Sequence, residues 1–131
     1  MDSLVYWIWL SLCLSPDTPA FRKLYDAAGS AEAIYDLPED EILRLVGKSK
    51  ADAKLLVQKD LEPAQKLYDF CNKKGIGLLP FADERYPSEL SHIETPPVLL
   101  YYRGKLPDFR SLCPIAIVGT RSMSDYGKKS A

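Results

Sequence analysis

Apolar positions crowd the start of the chain and then become periodic. Leu4 to Leu14 is nearly all apolar and carries Trp7 and Trp9. A membrane span needs about 20 such residues, and a secretory leader needs a basic start, whereas this run follows Asp2. The pattern therefore predicts a buried helix with Asp2 or Ser3 as N-cap, its two tryptophans in the core rather than serving as stacking platforms. Ser15, Pro16 and Asp17 make a turn. Thr18 is a natural cap for a helix from Pro19 to Ala28, which stops at Gly29. Ser30 caps a helix from Ala31 to Leu37. Pro38 opens another, whose apolar positions Ile42, Leu43, Leu45 and Val46 are expected to face a core, and Gly47 ends it. Ser49 and Asp52 read as a capping box for a helix through Lys59. Five helices in about 60 residues predict a compact helical domain over residues 1–60.

From Leu61 to Lys74 the apolar positions Ala64, Leu67, Tyr68 and Cys71 recur at helical spacing, and Gly75 closes the helix. The pattern then changes. Ile76 to Phe81 and Val98 to Tyr102 read as short strands. Pro87, Pro96, Pro97, Pro107 and Pro114 punctuate the remainder too densely for long helices. Ile115 to Val118 is a short apolar, mostly β-branched run ending at Gly119, the pattern of a buried parallel strand. Asp125 to Ala131 reads as a helix start. A strand, a glycine turn and the beginning of a helix are half of a βαβ unit. Residues 61–131 are thus expected to be the truncated start of a doubly wound α/β domain. The fold class expected for the whole chain is α+β.

Composition narrows the chemistry. The chain has 131 residues, 47% hydrophobic and 27% charged, with a net charge of -1. That suits one modest domain, or a small domain plus part of another. No basic excess advertises nucleic acid, so any such contact is local. Cys13, Cys71 and Cys113 are far apart, and His92 is the single histidine. No zinc site is expected, and the thiols read as reduced, mostly buried cysteines of a cytoplasmic protein. Glu39, Asp40 and Glu41 fit a solvated helix N-terminus better than a metal cluster. His92 lacks a nucleophile beside it and reads as a surface or packing residue.

The richest stretch for chemistry runs from Val118 to Lys129. A loop at the carboxyl end of a strand is where open α/β sheets bind ligands. Gly119 lets an anion approach the backbone, and helix amides favour it there. Thr120, Ser122 and Ser124 offer hydroxyls, Arg121 a guanidinium fork, and Lys128 and Lys129 further positive charge. The loop is neither a dinucleotide fingerprint nor a Walker A motif, so no cofactor, metal or catalytic residue is expected. The candidate site is Gly119, Thr120, Arg121, Ser122, Ser124 and Lys128, as a phosphate-binding set. The stretch Tyr86 to Gly104 reads as structural: Leu90 and Ile93 share one face of a short helix, and Pro96-Pro97 launch a strand.

These two stretches together resemble the DNA-processing A (Smf) family. The resemblance rests on Tyr86-Pro87, Leu90, Ile93 and Pro96-Pro97, then Arg103-Gly104, then Ile115-Ala116-Ile117-Val118-Gly119-Thr120-Arg121 and Tyr126-Gly127. It is strong from Asp83 to Gly127 and weaker before. It implies a helical domain similar to sterile-alpha-motif or helix-hairpin-helix modules, then a Rossmann-like domain. It also implies sequence-independent binding of single-stranded DNA, with Gly119, Thr120 and Arg121 in a phosphate pocket. A RecA-type recombinase partner, a homodimer for the full-length protein, and a non-enzymatic role in natural transformation and DNA recombination follow from the same resemblance; no membrane partner does. The turn from Ser15 to Thr18 lacks the glycine pair of a DNA-gripping hairpin, which favours a structural or protein-contact role for the helical part. Two other readings stay open: part of a Rossmann-like nucleotide-hydrolysing enzyme, and a helical protein-interaction module.

Overall fold

The computed structural model describes residues 2–47 and 50–130. Six helices come first: α1 (Ser3–Cys13), α2 (Ala20–Ala28), α3 (Ala31–Asp36), α4 (Glu39–Val46), α5 (Lys50–Gln58) and α6 (Glu62–Lys74). Then come β1 (Gly77–Pro80), the one-turn helix α7 (Ser88–Ser91) and β2 (Leu99–Tyr102). A 3-10 turn at Phe109–Ser111 and the short α8 (Asp125–Ser130) follow. The two strands pair antiparallel, with Gly77 opposite Tyr102 and Pro80 opposite Leu99. The class is α+β, with a small two-stranded sheet.

Helix α1 is the axis of the molecule. It is apolar on all sides, and such a helix must be surrounded. It touches α3, α5, α6 and both strands. Val5, Trp7, Ile8, Trp9, Leu10 and Cys13 are all buried, so the tryptophans belong to the core. Asp2 caps its start by accepting from the Leu4 amide at 3.0 Å. Ser30 caps α3 through the Ala33 amide at 3.1 Å. Thr18 Oγ1 accepts from the Ala20 amide at 3.2 Å, and Gly29, Gly47 and Gly75 close α2, α4 and α6 at positive φ. Each cap supplies a partner that a helix end lacks.

Several expectations do not hold. Leu43 is exposed, whereas Ile42 and Val46 on the same helix are buried. A helix of two turns against α2 and α5 has room for one buried stripe only. Asp52 makes a contact that the local pattern did not announce. It is 2% exposed, and its Oδ1 accepts from the Ser15 amide at 3.2 Å and the Ser15 hydroxyl at 2.8 Å. It thereby ties the end of α1 to α5. Ser49, the other half of the expected capping box, lies outside the described residues. The thiols are mostly buried, as expected: Cys13 and Cys71 are buried and Cys113 is exposed. The largest difference is Ile115 to Val118, expected as a buried parallel strand. Ile115, Ile117 and Val118 are 85–89% exposed, and this stretch joins no sheet. Among the described residues no strand lies beside it and no helix covers it.

The stretch from Tyr86 to Gly104 is tied to the helices. Tyr86 is buried, and its hydroxyl donates to the Pro97 carbonyl at 2.8 Å. Arg22 of α2 donates to the carbonyls of Ser91 and Ile93 at 2.6 and 3.2 Å. The rings of Phe21, Tyr25 and Tyr86 surround Phe81 with centroids 5.1–5.3 Å away. Motif prolines and aromatics here set the path of the chain.

Candidate functional site

Every side chain of the expected phosphate-binding set lies at the surface. Gly119, Thr120, Arg121, Ser122, Ser124 and Lys128 are all exposed. Gly119, Thr120 and Ser124 share a hollow of about 480 Å3, with Ile117, Val118 and Met123 as apolar walls. Arg121, Ser122 and Lys128 do not line it. Ile117 and Val118 escaped sequence reasoning as walls because they read as a buried strand.

The donors in this loop are not equivalent. The Thr120 hydroxyl donates to the Ser122 carbonyl at 2.7 Å, so its proton is already used. Ser124 Oγ accepts from the Gly127 amide at 3.1 Å and keeps its own proton to give. That amide, in the first turn of α8, is therefore occupied. The helix also begins with Asp125, a carboxylate that repels an anion. Arg121 enters no ion pair or side-chain hydrogen bond among the described residues. A cationic fork in water with unspent donors suits phosphate oxygens better than any other group in the loop. Gly119 has no positive φ, and a Cβ added there would meet nothing within 4 Å. Local sterics do not require glycine at this position.

Charge is segregated along the chain in a way the net value hides. After Tyr102 there are six basic and two acidic residues; up to Tyr102 there are eleven basic and sixteen acidic. The last stretch is thus net positive and the rest net negative. Glu39 and Asp40 are exposed, and Glu41 pairs with Arg44. This matches a solvated helix start. Among the described residues no cluster of His, Cys, Asp or Glu is arranged to hold a metal ion. His92 is exposed, with Nδ1 against the Ser88 carbonyl, which requires the proton on that nitrogen.

A second cavity, of about 200 Å3, was not anticipated. It is lined by residues 84–86 and 106–110. Arg85 there is held by Asp83, and this pairing keeps the Asp83 carboxyl below its ordinary range. The aspartate and arginine stand two apart in a turn rather than in a strand, so periodicity gave no signal of them.

Residues 77–131 match the model of a family described as DNA recombination-mediator protein A. This segment of the chain is similar to that family. Two relatives carry the name DNA processing protein DprA. The one from Streptococcus pneumoniae is 46% identical over 48 residues, covering 37% of this chain and 17% of the relative. The one from Bacillus subtilis is 35% identical over 57 residues, covering 44% of this chain and 19% of the relative. The matches therefore span less than a fifth of either relative's length. No solved structure matches the chain. The recombination-mediator segment takes in both strands, the cavity at 84–110 and the Arg121 loop. The six helices before it lie outside the family match. No helix among the described residues is long and apolar enough to cross a membrane.

Proposed function

We propose that this chain belongs to a cytoplasmic, non-enzymatic protein that binds single-stranded DNA without sequence preference and passes it to a RecA-type recombinase. The observation that carries the reading is the exposed Arg121, without an ion pair among the described residues, in a loop that also offers Ser122, Ser124 and Lys128, within the net-positive end of the chain. Phosphate contacts of this kind position a strand and carry no sequence information. The recombinase half of the reading is supported by the family's description as a recombination mediator. A role in natural transformation, and a homodimer for the full-length protein, belong to the same reading.

We place a sterile-alpha-motif-like helical domain at residues 1–60 and the start of a Rossmann-like domain at 61–131. The exposed apolar run from Ile115 to Val118 supports the second part, because such a surface is stable in water only when another layer covers it.

The test is fluorescence anisotropy of labelled oligonucleotides against this chain over a salt series. Affinity is expected to fall steeply with salt. Arg121→Ala is expected to weaken binding about equally for oligo-dT, oligo-dA and mixed sequences, and to reduce the log–log salt slope by about 0.7 for one lost phosphate contact. An unchanged slope, or a loss confined to one sequence, removes Arg121 from the phosphate set.

A further inference from the structure

The cavity of about 200 Å3 between residues 84–86 and 106–110 is smaller than the ~300–1,000 Å3 of pockets that take drug-sized ligands. It has room for one planar ring system rather than a whole nucleotide. Its lining includes two aromatic rings, Tyr86 and Phe109, two guanidiniums, Arg85 and Arg110, and two carboxylates, Glu84 and Asp108.

Most of these groups are set in place in advance. Arg85 Nε and Nη2 donate to Asp83 Oδ1 and Oδ2 at 2.9 and 2.7 Å, yet the side chain is 52% exposed. A guanidinium pinned along one edge is a flat cation whose faces remain open to stacking. The Tyr86 hydroxyl is committed to Pro97, so the residue offers the cavity only its ring. Phe109 sits on a turn held at both ends. Asp108 Oδ1 accepts from the Arg110 amide at 3.1 Å, and the Ser111 hydroxyl donates to the Asp108 carbonyl at 2.9 Å.

The chemistry selects a ligand. A free phosphate would meet Glu84 and Asp108 as repelling charges. An aliphatic chain would satisfy neither the guanidiniums nor the carboxylates. A nucleobase offers a π face to Phe109 and Arg85, and amino hydrogens that a carboxylate accepts. We infer that this cavity is a nucleobase subsite, taking one base of a single strand whose phosphates are held by the Arg121 loop. This inference rests on the DNA-binding reading above.

The experiment compares a labelled deoxyadenosine oligomer with an abasic oligomer of equal length, using the full chain. Stacking contributes about 1–3 kcal/mol per base, so the intact oligomer is expected to bind at least about 5-fold more tightly. Phe109→Leu keeps the apolar bulk and removes the ring. It is expected to abolish the preference and leave abasic binding unchanged, whereas Phe109→Tyr retains the preference. Equal wild-type binding of both oligomers overturns the base subsite and leaves the phosphate reading standing. A preference that survives Phe109→Leu overturns the assignment to this cavity. Binding of neither oligomer overturns the phosphate reading, and the subsite with it.

Discussion

At the scale of single residues, burial sets thiol reactivity. Cys13 is buried against the core, and desolvation, with Asp52 and Asp60 nearby, pushes its pKa from 9.0 up to about 12. Burial alone raises Cys71. Cys113 is exposed. Because the thiolate is the reactive form, a disulfide reagent at pH 8 is expected to label Cys113 promptly and the other two only on unfolding; mass spectrometry reads the order, and early labelling of Cys13 contradicts the burial. The raised pKa also has a sign for stability. The fold prefers the neutral thiol, so its contribution is fully present below pH 9 and is lost as pH rises through about 12. Unfolding free energy is expected to decline over that window, less steeply in Cys13→Ala. The sequence carried the caps at Asp2 and Ser30 because a cap acts within a few residues. It did not carry the exposure of Cys113, which depends on what lies across from it.

At the scale of elements, the six helices could be read from periodicity and punctuation, with ends displaced by a residue or two. Their packing partners could not. Asp52 looked like part of a local cap, yet it reaches 37 positions back to Ser15. Removing one partner of a buried hydrogen bond costs about 1–3 kcal/mol. Asp52→Ala is expected to lower the unfolding free energy by about that amount, measured by urea titration with far-UV circular dichroism. A change below about 0.5 kcal/mol would mean that water replaces the contact at no cost. The strands β1 and β2 were legible as apolar runs, but their antiparallel pairing was not. Nor was the close approach at Gly77, where an added Cβ would fall 2.1 Å from the Tyr102 ring.

At the scale of the whole molecule, the core cluster joins α1 to α6 and reaches Val98 and Leu99. From Arg110 to Ser130 nearly every residue is exposed. Segments with little packed surface open easily and are cut first. Limited trypsin digestion is therefore expected to cleave after Arg110 and Arg121 before it cuts α1 to α6. Early cleavage after Lys66 or Lys73 in α6 would contradict the packing of that helix on α1. The charge segregation acts at this scale too: the net-positive end approaches a polyanion while the net-negative remainder is repelled by it.

By itself the sequence determined the helices, their caps, the two short strands and the motif by which residues 77–131 resemble the recombination-mediator family, because all of these are written in neighbours a few positions apart. Tertiary structure alone decided that Asp52 turns inward, that Leu43 faces water, that Ile115 to Val118 has no sheet to join among the described residues, and that Arg85 and Phe109 line one cavity. Burial and pairing are properties of contacts between distant positions. A pattern along one strand of chain records which face is apolar, but not what comes to cover it.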